Sequence, residues 1–202
     1  MTDITELVLG DHRRIRQLRE ALHDTARSAP GGGPGGALAR MWHGLAGVIE
    51  LHLSAEQEIC WLPMCGTGPR GREQIAAAAA DAADITAAIG EARLQPAGSP
   101  IWWRAVNDAL ATCATQFGRE EDGILADFAR HAARPTRDQL GRQWLAFTAA
   151  RRLDETPAGP DSTVCQTCRQ PVPERHHHVP DTGPRAVRCT CRACARARTG
   201  GR

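Results

Sequence analysis

A histidine and a glutamate four residues apart are the residues of this chain best suited to chemistry. His52 and Glu56 stand in the segment His52-Leu-Ser-Ala-Glu56, and residues at this spacing lie one turn apart on the same face of a helix. An imidazole and a carboxylate stacked in this way can bind one metal ion, and four-helix bundles build metal sites from such pairs. The segment Gln116-Phe-Gly-Arg-Glu120 repeats the spacing with glutamine in place of histidine. The two segments together predict a metal-binding bundle whose site has been altered.

Two further residues lie on apolar helix faces. His12 follows Val8 by four residues and precedes Ile15 by three, and Glu120 follows Phe117 by three and precedes Ile124 by four. A buried histidine or glutamate must be hydrogen-bonded, ion-paired or bound to metal, because burying it bare costs on the order of several kcal/mol. Four side chains are therefore expected to converge from three helices: His12, His52, Glu56 and Glu120. Three other histidines are predicted to lie away from them: His23, His43 and His131.

An alternative remains open, because a histidine–glutamate pair one turn apart is also a common stabiliser of exposed helices. On that interpretation the chain keeps the bundle fold and has lost its metal.

Long helices must position these residues. Helical periodicity covers residues 3–27, 37–61, 72–93 and 101–132, with a shorter fifth pattern over 136–153. Glycine and proline separate the patterns: a glycine-rich run at 28–36, Pro63 with Gly66 to Gly71, and a Pro-Ala-Gly-Ser-Pro run that ends at Pro100. Long helices with short links predict an all-α fold, an up-down four-helix bundle with an extra short helix.

The chain changes character after this bundle. Residues 1–153 are assigned to the bundle, 154–163 to a linker, and 164–198 to a small cysteine-rich module. No run of apolar residues is long enough to span a membrane, and the polar N-terminus is unlike a signal peptide. We therefore expect a cytoplasmic protein whose eight cysteines are thiols or metal ligands.

The cysteine-rich module predicts a structural zinc site. Two C-x-x-C turns separated by some twenty residues are a strong zinc signal, and a segment with little core needs metal to fold. The default ligands are Cys165, Cys168, Cys191 and Cys194. Three residues are alternative ligands, Cys189, His176 and His178, and a rubredoxin-like iron site is the rival interpretation.

The bundle resembles the hemerythrin-like, cation-binding HHE family. The resemblance rests on Asp11-His12-Arg-Arg-Ile15, on His52-x-x-x-Glu56 followed by Trp61-Leu-Pro63, and on Gln116-x-x-x-Glu120-Glu121. It implies a four-helix bundle that usually holds a di-iron centre and binds or responds to oxygen, nitric oxide or peroxide. Ala82 and Gln116 fall on the positions of two family histidines. The resemblance therefore implies a half-site of His12, His52, Glu56 and Glu120, suited to one Fe, Mn or Zn ion.

Other residues near this half-site are secondary candidates. Additional ligands could come from Gln116, Glu121, Asp81 and Asp84. Cys60 and Cys113 are expected to be small buried residues, with a redox or ligand role for Cys60 as the alternative. A disulfide between Cys60 and Cys65 is left open.

The tail is similar to a zinc-ribbon-like segment of actinobacterial proteins of unknown function, some associated with hydrogenase gene sets. This similarity implies that the tail docks a protein partner. The resulting prediction is a non-heme iron sensor or handler of oxygen or nitric oxide, with at most one metal in the bundle and no evident catalytic set. The alternative is a metal-free scaffold or accessory protein in which only the zinc module functions. Nucleic-acid binding through the arginine-rich tail is disfavoured, because residues 160–202 contain no aromatic residue for stacking.

Overall fold

The computed structural model describes residues 3–28, 35–68, 70–155, 179–180 and 187–188. The chain divides into two units, Met1–Arg151 and Arg152–Arg202, and each is described by itself. None of the helices within the described ranges is both long enough and apolar enough to cross a membrane.

The described part of the first unit is helical, so the prediction of an all-α bundle is confirmed. Its elements, in chain order, are α1 (Ile4–Ser28), α2 (Gly35–Ala55), a π-helical turn (Glu56–Cys60), α3 (Trp61–Cys65), α4 (Gly71–Leu94), α5 (Pro100–Asp122), α6 (Ile124–His131) and α7 (Arg134–Glu155). The start of α5 shows how the sequence sets a boundary. Ser99 accepts a hydrogen bond from the backbone N–H of Trp102 at 3.2 Å, and Pro100 occupies the first turn, where no N–H is needed.

Two clusters of buried side chains form the core. The larger joins α1, α2, α4 and α5 through residues such as Leu22, Ile49, Ile85 and Trp102. The smaller joins the other ends of these helices to α3, α6 and α7, and includes Ile4 and Phe128. Each fully buried side chain of this size contributes roughly 1.5–3 kcal/mol. The polar residues of interest lie on the same helix faces as the two clusters.

The second predicted helix continues further than its sequence suggested. Pro63 was expected to break it, but helical structure extends to Cys65 through the π-helical turn and α3. Pro63 is the third residue of α3, where it removes one N–H from the helical hydrogen bonds just after the π-helical turn.

The fourth predicted helix, in contrast, is interrupted at Gly123 and resumes as α6. A Cβ atom at Gly123 would lie 2.7 Å from the carbonyl oxygen of Arg119 and 2.7 Å from the amide nitrogen of Gln74. The chain can turn this tightly only where no side chain is present.

The fifth predicted helix, 136–153, is observed as α7, Arg134–Glu155. Its adjacent residues Trp144 and Leu145 differ in burial: Trp144 is buried, whereas 43% of Leu145 is exposed. Adjacent helical residues point about 100° apart, so the two cannot share one narrow core face.

In the second unit, β1 (Val179–Pro180) and β2 (Val187–Arg188) pair antiparallel, with Val179 opposite Arg188. All of the predicted zinc ligands lie outside the described residues, as does most of the glycine-rich run at 28–36. The linker predicted at 154–163 begins within α7, which continues to Glu155, and its remaining residues lie outside the described residues.

Candidate metal centre

The four residues singled out by helical spacing come together inside the bundle. His12 lies on α1, His52 on α2, Glu56 at the start of the π-helical turn and Glu120 on α5. All four are buried, and one ligand atom from each lies within 4.8 Å of those of the others. The helices thus place two imidazoles and two carboxylates around one small volume.

The imidazole Nε2 atoms face the carboxylates. His52 Nε2 lies 3.3 Å from Glu56 Oε1, and His12 Nε2 lies 3.4 Å from Glu120 Oε2 and 3.9 Å from Glu56 Oε1. Glu56 is therefore shared between the two histidines. Separations of this size leave room for an ion in the middle rather than closing the cluster with direct hydrogen bonds.

The Nδ1 atoms of both histidines point outward to other carboxylates. His12 Nδ1 lies 2.8 Å from Glu121 Oε1, which also forms an ion pair with Arg16 Nη1 at 2.9 Å. His52 Nδ1 lies 3.7 Å from Asp11 Oδ2. A carboxylate on Nδ1 favours the tautomer that protonates this nitrogen and leaves the Nε2 lone pair for a metal. Glu121, predicted as an additional ligand, is thus an outer partner of His12.

Aromatic rings pack against both histidines of the cluster. The Phe117 ring stacks on the His12 ring with centroids 3.9 Å apart, and the Trp144 ring meets the His52 ring edge-on with centroids 5.6 Å apart. These rings restrict rotation of both imidazoles. They also exclude water, and this strengthens every charge interaction within the cluster.

Gln116 occupies the side of the cluster where the sequence lacks a histidine. It is fully buried, and its amide nitrogen donates to Glu120 Oε1 at 2.7 Å and to Glu56 Oε2 at 3.3 Å. Gln116 was predicted as an additional ligand through its amide oxygen. The structure instead directs its N–H groups to the two carboxylates that a second metal would share.

Each charged group of the cluster shifts the pKa of its neighbours. Burial lowers the pKa of His52, but Glu56 and Asp11 outweigh that effect and raise it to about 10. Burial raises the pKa of Glu56, yet the two histidines lower it to about 2. Burial and the neighbouring Glu56 raise the pKa of Glu120. Without metal, an imidazolium and a carboxylate hold the centre together, and metal must displace the proton.

The four side chains of the cluster have atoms free to bind a metal ion. Four of their buried atoms have no hydrogen-bond partner: His12 Nε2, His52 Nε2, Glu120 Oε2 and His52 Nδ1, which lies 3.7 Å from Asp11 Oδ2. An unpartnered buried polar atom is costly, and the first three face the same volume. Two imidazole nitrogens and carboxylate oxygens suit Fe, Mn or Zn, so the residues present fit a single transition-metal ion.

Comparison with known families agrees with this geometry. Residues 3–134 match the family of the hemerythrin HHE cation binding domain. The chain belongs to this hemerythrin family. Residues 164–200 match a family of unknown function, DUF5947. No curated protein and no solved structure matches the chain. The predicted resemblance is thus confirmed for the hemerythrin-like bundle, and membership implies a transition metal such as iron.

The remaining candidates of the hemerythrin-like bundle lie elsewhere. Asp81 forms an ion pair with Arg119, and Asp84 is exposed. Ala82 packs against the larger core cluster. Of the histidines set aside, His43 and His131 are exposed, and His23 stacks on Trp103.

The described cysteines are free thiols, so the structure shows no Cys60–Cys65 disulfide. Cys60 and Cys113 are buried, and burial together with Glu56 and Glu120 raises the pKa of both. Without metal, both thiols are therefore protonated.

Sequence reasoning missed the outer partners of the histidines. Asp11 was noted as part of a motif, and Glu121 as a ligand, but neither was assigned to an Nδ1 atom. A carboxylate adjacent to a buried histidine or glutamate was the available signal. It could not be used without knowing how the helices are staggered.

Proposed function

We propose that the hemerythrin-like bundle holds one transition-metal ion through His12, His52, Glu56 and Glu120. The observation that carries the proposal is the convergence of their ligand atoms within 4.8 Å of one another. Membership of a cation-binding family supports it independently. Carboxylates behind both histidines support it further, because such partners are typical of metal-bound imidazoles.

The site is mononuclear in this proposal. A di-iron centre needs more histidines, and Gln116 and Ala82 stand where the family has two of them. The Gln116 amide group donates to Glu56 and Glu120. These hydrogen bonds stabilise the negative charge of the two carboxylates, which a second ion would otherwise do. Iron and manganese accept up to six ligands, so either ion bound by these four side chains would retain a coordination position for a small molecule.

The physiological role that follows is sensing or handling of a diatomic molecule such as oxygen or nitric oxide. The metal supplies redox and ligand-binding chemistry. The chain supplies a water-poor pocket, through Phe117 and Trp144, and fixes the two imidazoles. No nucleophile–base pair accompanies the site, so turnover is not part of the proposal. A cytoplasmic location fits the free thiols Cys60 and Cys113.

Metal content of the purified protein tests the bundle site. The protein is stripped, reloaded anaerobically with Fe²⁺ or Co²⁺, and analysed for metal per chain. We expect one equivalent in the bundle, abolished by His52→Ala and retained by His43→Ala, which removes an exposed histidine from the same helix. If the parent binds none, the bundle is a scaffold and the proposal is wrong.

Restoring the family histidines tests the mononuclear state. The double variant Gln116→His with Ala82→His is expected to bind a second equivalent of iron and to gain a charge-transfer band on exposure to oxygen. Two imidazoles in a core fitted to alanine and glutamine cost roughly 1–3 kcal/mol, so folding is checked by circular dichroism. A folded double variant with one equivalent would refute the placement, and two equivalents in the parent would refute the mononuclear site.

A second proposal concerns the tail, where paired C-x-x-C spacing favours a zinc-bound module that docks a protein partner. The expected zinc content is one ion per chain beyond the bundle metal. Cys168→Ser and Cys191→Ser should each remove it, whereas Cys65→Ser, outside the tail, should not. Unchanged zinc in both tail variants would contradict the assignment.

A further inference from the structure

Helix α7 stands between the hemerythrin-like domain and the tail in the sequence. The family match of the bundle ends at residue 134 and that of the tail begins at residue 164, so α7 (Arg134–Glu155) lies outside both beyond its first residue. The boundary between the two units of the chain also falls within this helix, after Arg151. α7 is therefore an addition to the family's domain, and through it the chain continues from the bundle into the tail.

Few side chains hold α7 on the bundle. Three of its described side chains are buried, Leu140, Trp144 and Thr148, and Trp144 is the largest of them. Thr148 donates its hydroxyl to the helix's own backbone, at the carbonyl oxygen of Trp144. Near the start of α7, Arg137 pairs with the buried carboxylate of Asp3 at 3.1 Å. An element held by few buried apolar contacts opens locally at a low cost in free energy, so α7 is suited to respond to a change in one contact.

The largest of these contacts is made to a proposed metal ligand. The Trp144 ring meets the His52 ring edge-on with centroids 5.6 Å apart, and both side chains are buried. The Nε2 atom of the same imidazole lies 3.3 Å from Glu56 Oε1 and has no hydrogen-bond partner. An ion bound by both side chains would hold each ligand atom at about 2.0–2.2 Å from itself. Because protein cores are close-packed, the accompanying shift of the imidazole changes its contact with Trp144.

We propose that α7 transmits the metal occupancy of the bundle to the tail and that Trp144 is the residue that responds to His52. With the ion bound, coordination fixes the imidazole, Trp144 packs firmly against it, and α7 stays docked. Without the ion, this contact is looser and the part of α7 that follows Trp144 opens more often. The opening alters the segment from which the tail continues. This inference rests on the proposed metal site, and it adds how the state of that site reaches the second unit.

Hydrogen exchange of the full-length chain tests the transmission. The protein is stripped of metal, metal content after reloading is determined, and amide exchange in α7 is followed by mass spectrometry with and without Co²⁺. Helix α4 is the internal reference, because it contributes none of the four proposed ligands. A metal that only stabilised the bundle as a whole would slow exchange equally in both helices. We expect Co²⁺ to slow exchange roughly tenfold more in α7 than in α4, within the range of about 5–150-fold that is typical of coupling between two sites.

Two tryptophan variants locate the coupling. Trp144→Leu should bind Co²⁺ about tenfold more weakly, since coupling is reciprocal, and at saturating Co²⁺ it should lose the additional protection of α7. Trp42→Leu is the matched control, because Trp42 is similarly buried on the helix that carries His52 but packs against Trp102. This control should keep both the affinity and the protection.

A third variant separates the bundle metal from metal bound by the tail cysteines. His12→Ala removes a proposed ligand and leaves both members of the His52–Trp144 pair in place, so Co²⁺ should no longer protect α7 in this variant. An undiminished effect of Co²⁺ in His12→Ala would overturn the transmission.

The parent alone can also contradict the proposal. Equal slowing of exchange in α7 and α4 would overturn the transmission, whether or not the variants fold. A Trp144→Leu protein with parent-like affinity and parent-like protection of α7 would overturn the role of Trp144. Failure of the parent to bind Co²⁺ in the bundle would instead overturn the proposed metal site, and the transmission with it.

Discussion

Glu121 offers the sharpest test of how the hemerythrin-like centre is organised. Its carboxylate lies 2.8 Å from His12 Nδ1 and 2.9 Å from Arg16, on the side of the imidazole that faces away from the cluster. Replacing Glu121 with alanine removes no proposed metal ligand. It removes the group that holds the His12 proton on Nδ1 and keeps the Nε2 lone pair directed inward.

The magnitude follows from this single contact. A hydrogen bond to a charged group contributes roughly 1.5–3 kcal/mol, and Glu121 is only a quarter exposed, so solvent screens it in part. Loss of an outer partner of a metal-bound histidine typically costs about 10–100-fold in metal affinity. We expect Glu121→Ala to lie in that range and Glu121→Gln, which keeps an acceptor oxygen, to lose less.

A competition titration of Co²⁺ against a coloured chelator measures the change. Glu50 provides the control, because it is a carboxylate of similar exposure that also pairs with an arginine, Arg93, but contacts no histidine. Glu50→Ala should bind Co²⁺ as the parent does. Parent-like affinity in Glu121→Ala, or equal losses in the two alanine variants, would refute the assigned role.

Two further predictions concern stability. Gly123→Ala should destabilise the protein by roughly 1–3 kcal/mol, because the new Cβ would lie 2.7 Å from the Arg119 carbonyl oxygen; Gly118→Ala, where a Cβ meets open space, should not, and equal urea midpoints would contradict this. In the metal-free protein, the pKa of His52, raised from 6.5 to about 10, contributes stability that is present below pH 6.5 and lost toward pH 10. The pKa of Glu56, lowered from 4.5 to about 2, contributes stability that is present above pH 4.5 and lost toward pH 2. Thermal unfolding should therefore show highest stability near pH 4.5–6.5, and a midpoint still rising between pH 7 and pH 10 would contradict the pairing.

The sequence was sufficient to predict the helices and the inward direction of the four cluster residues. Both depend on local periodicity, and periodicity is strong where His12 follows Val8 or Glu120 follows Phe117. Contacts between helices were harder to predict. That Gln116 donates to Glu56 as well as Glu120 depends on the axial stagger of α2 against α5, and no single-helix pattern contains that information.

The same limit explains the secondary candidates that were misplaced. Asp81 is adjacent in sequence to Ala82, which falls on a family histidine position, yet its carboxylate pairs with Arg119 of α5. Leu145 belongs to an apolar segment, yet it stays 43% exposed while Trp144 beside it is buried. In both cases the residue type was compatible with a buried or ligating position, and the rotation of the helix about its axis decided the outcome.

The π-helical turn at Glu56–Cys60 determines how the chain can vary in length. A regular α-helix advances about 100° per residue, so eleven residues beyond His52 would return Pro63 to the inner face and turn Met64 away. The structure has the reverse, with Met64 buried and Pro63 exposed. The turn accommodates one extra residue between two stretches that each keep their own facing. Deletion of a single residue can therefore be absorbed within this turn, which would become regular α-helix, without shifting the packing of the helix on either side.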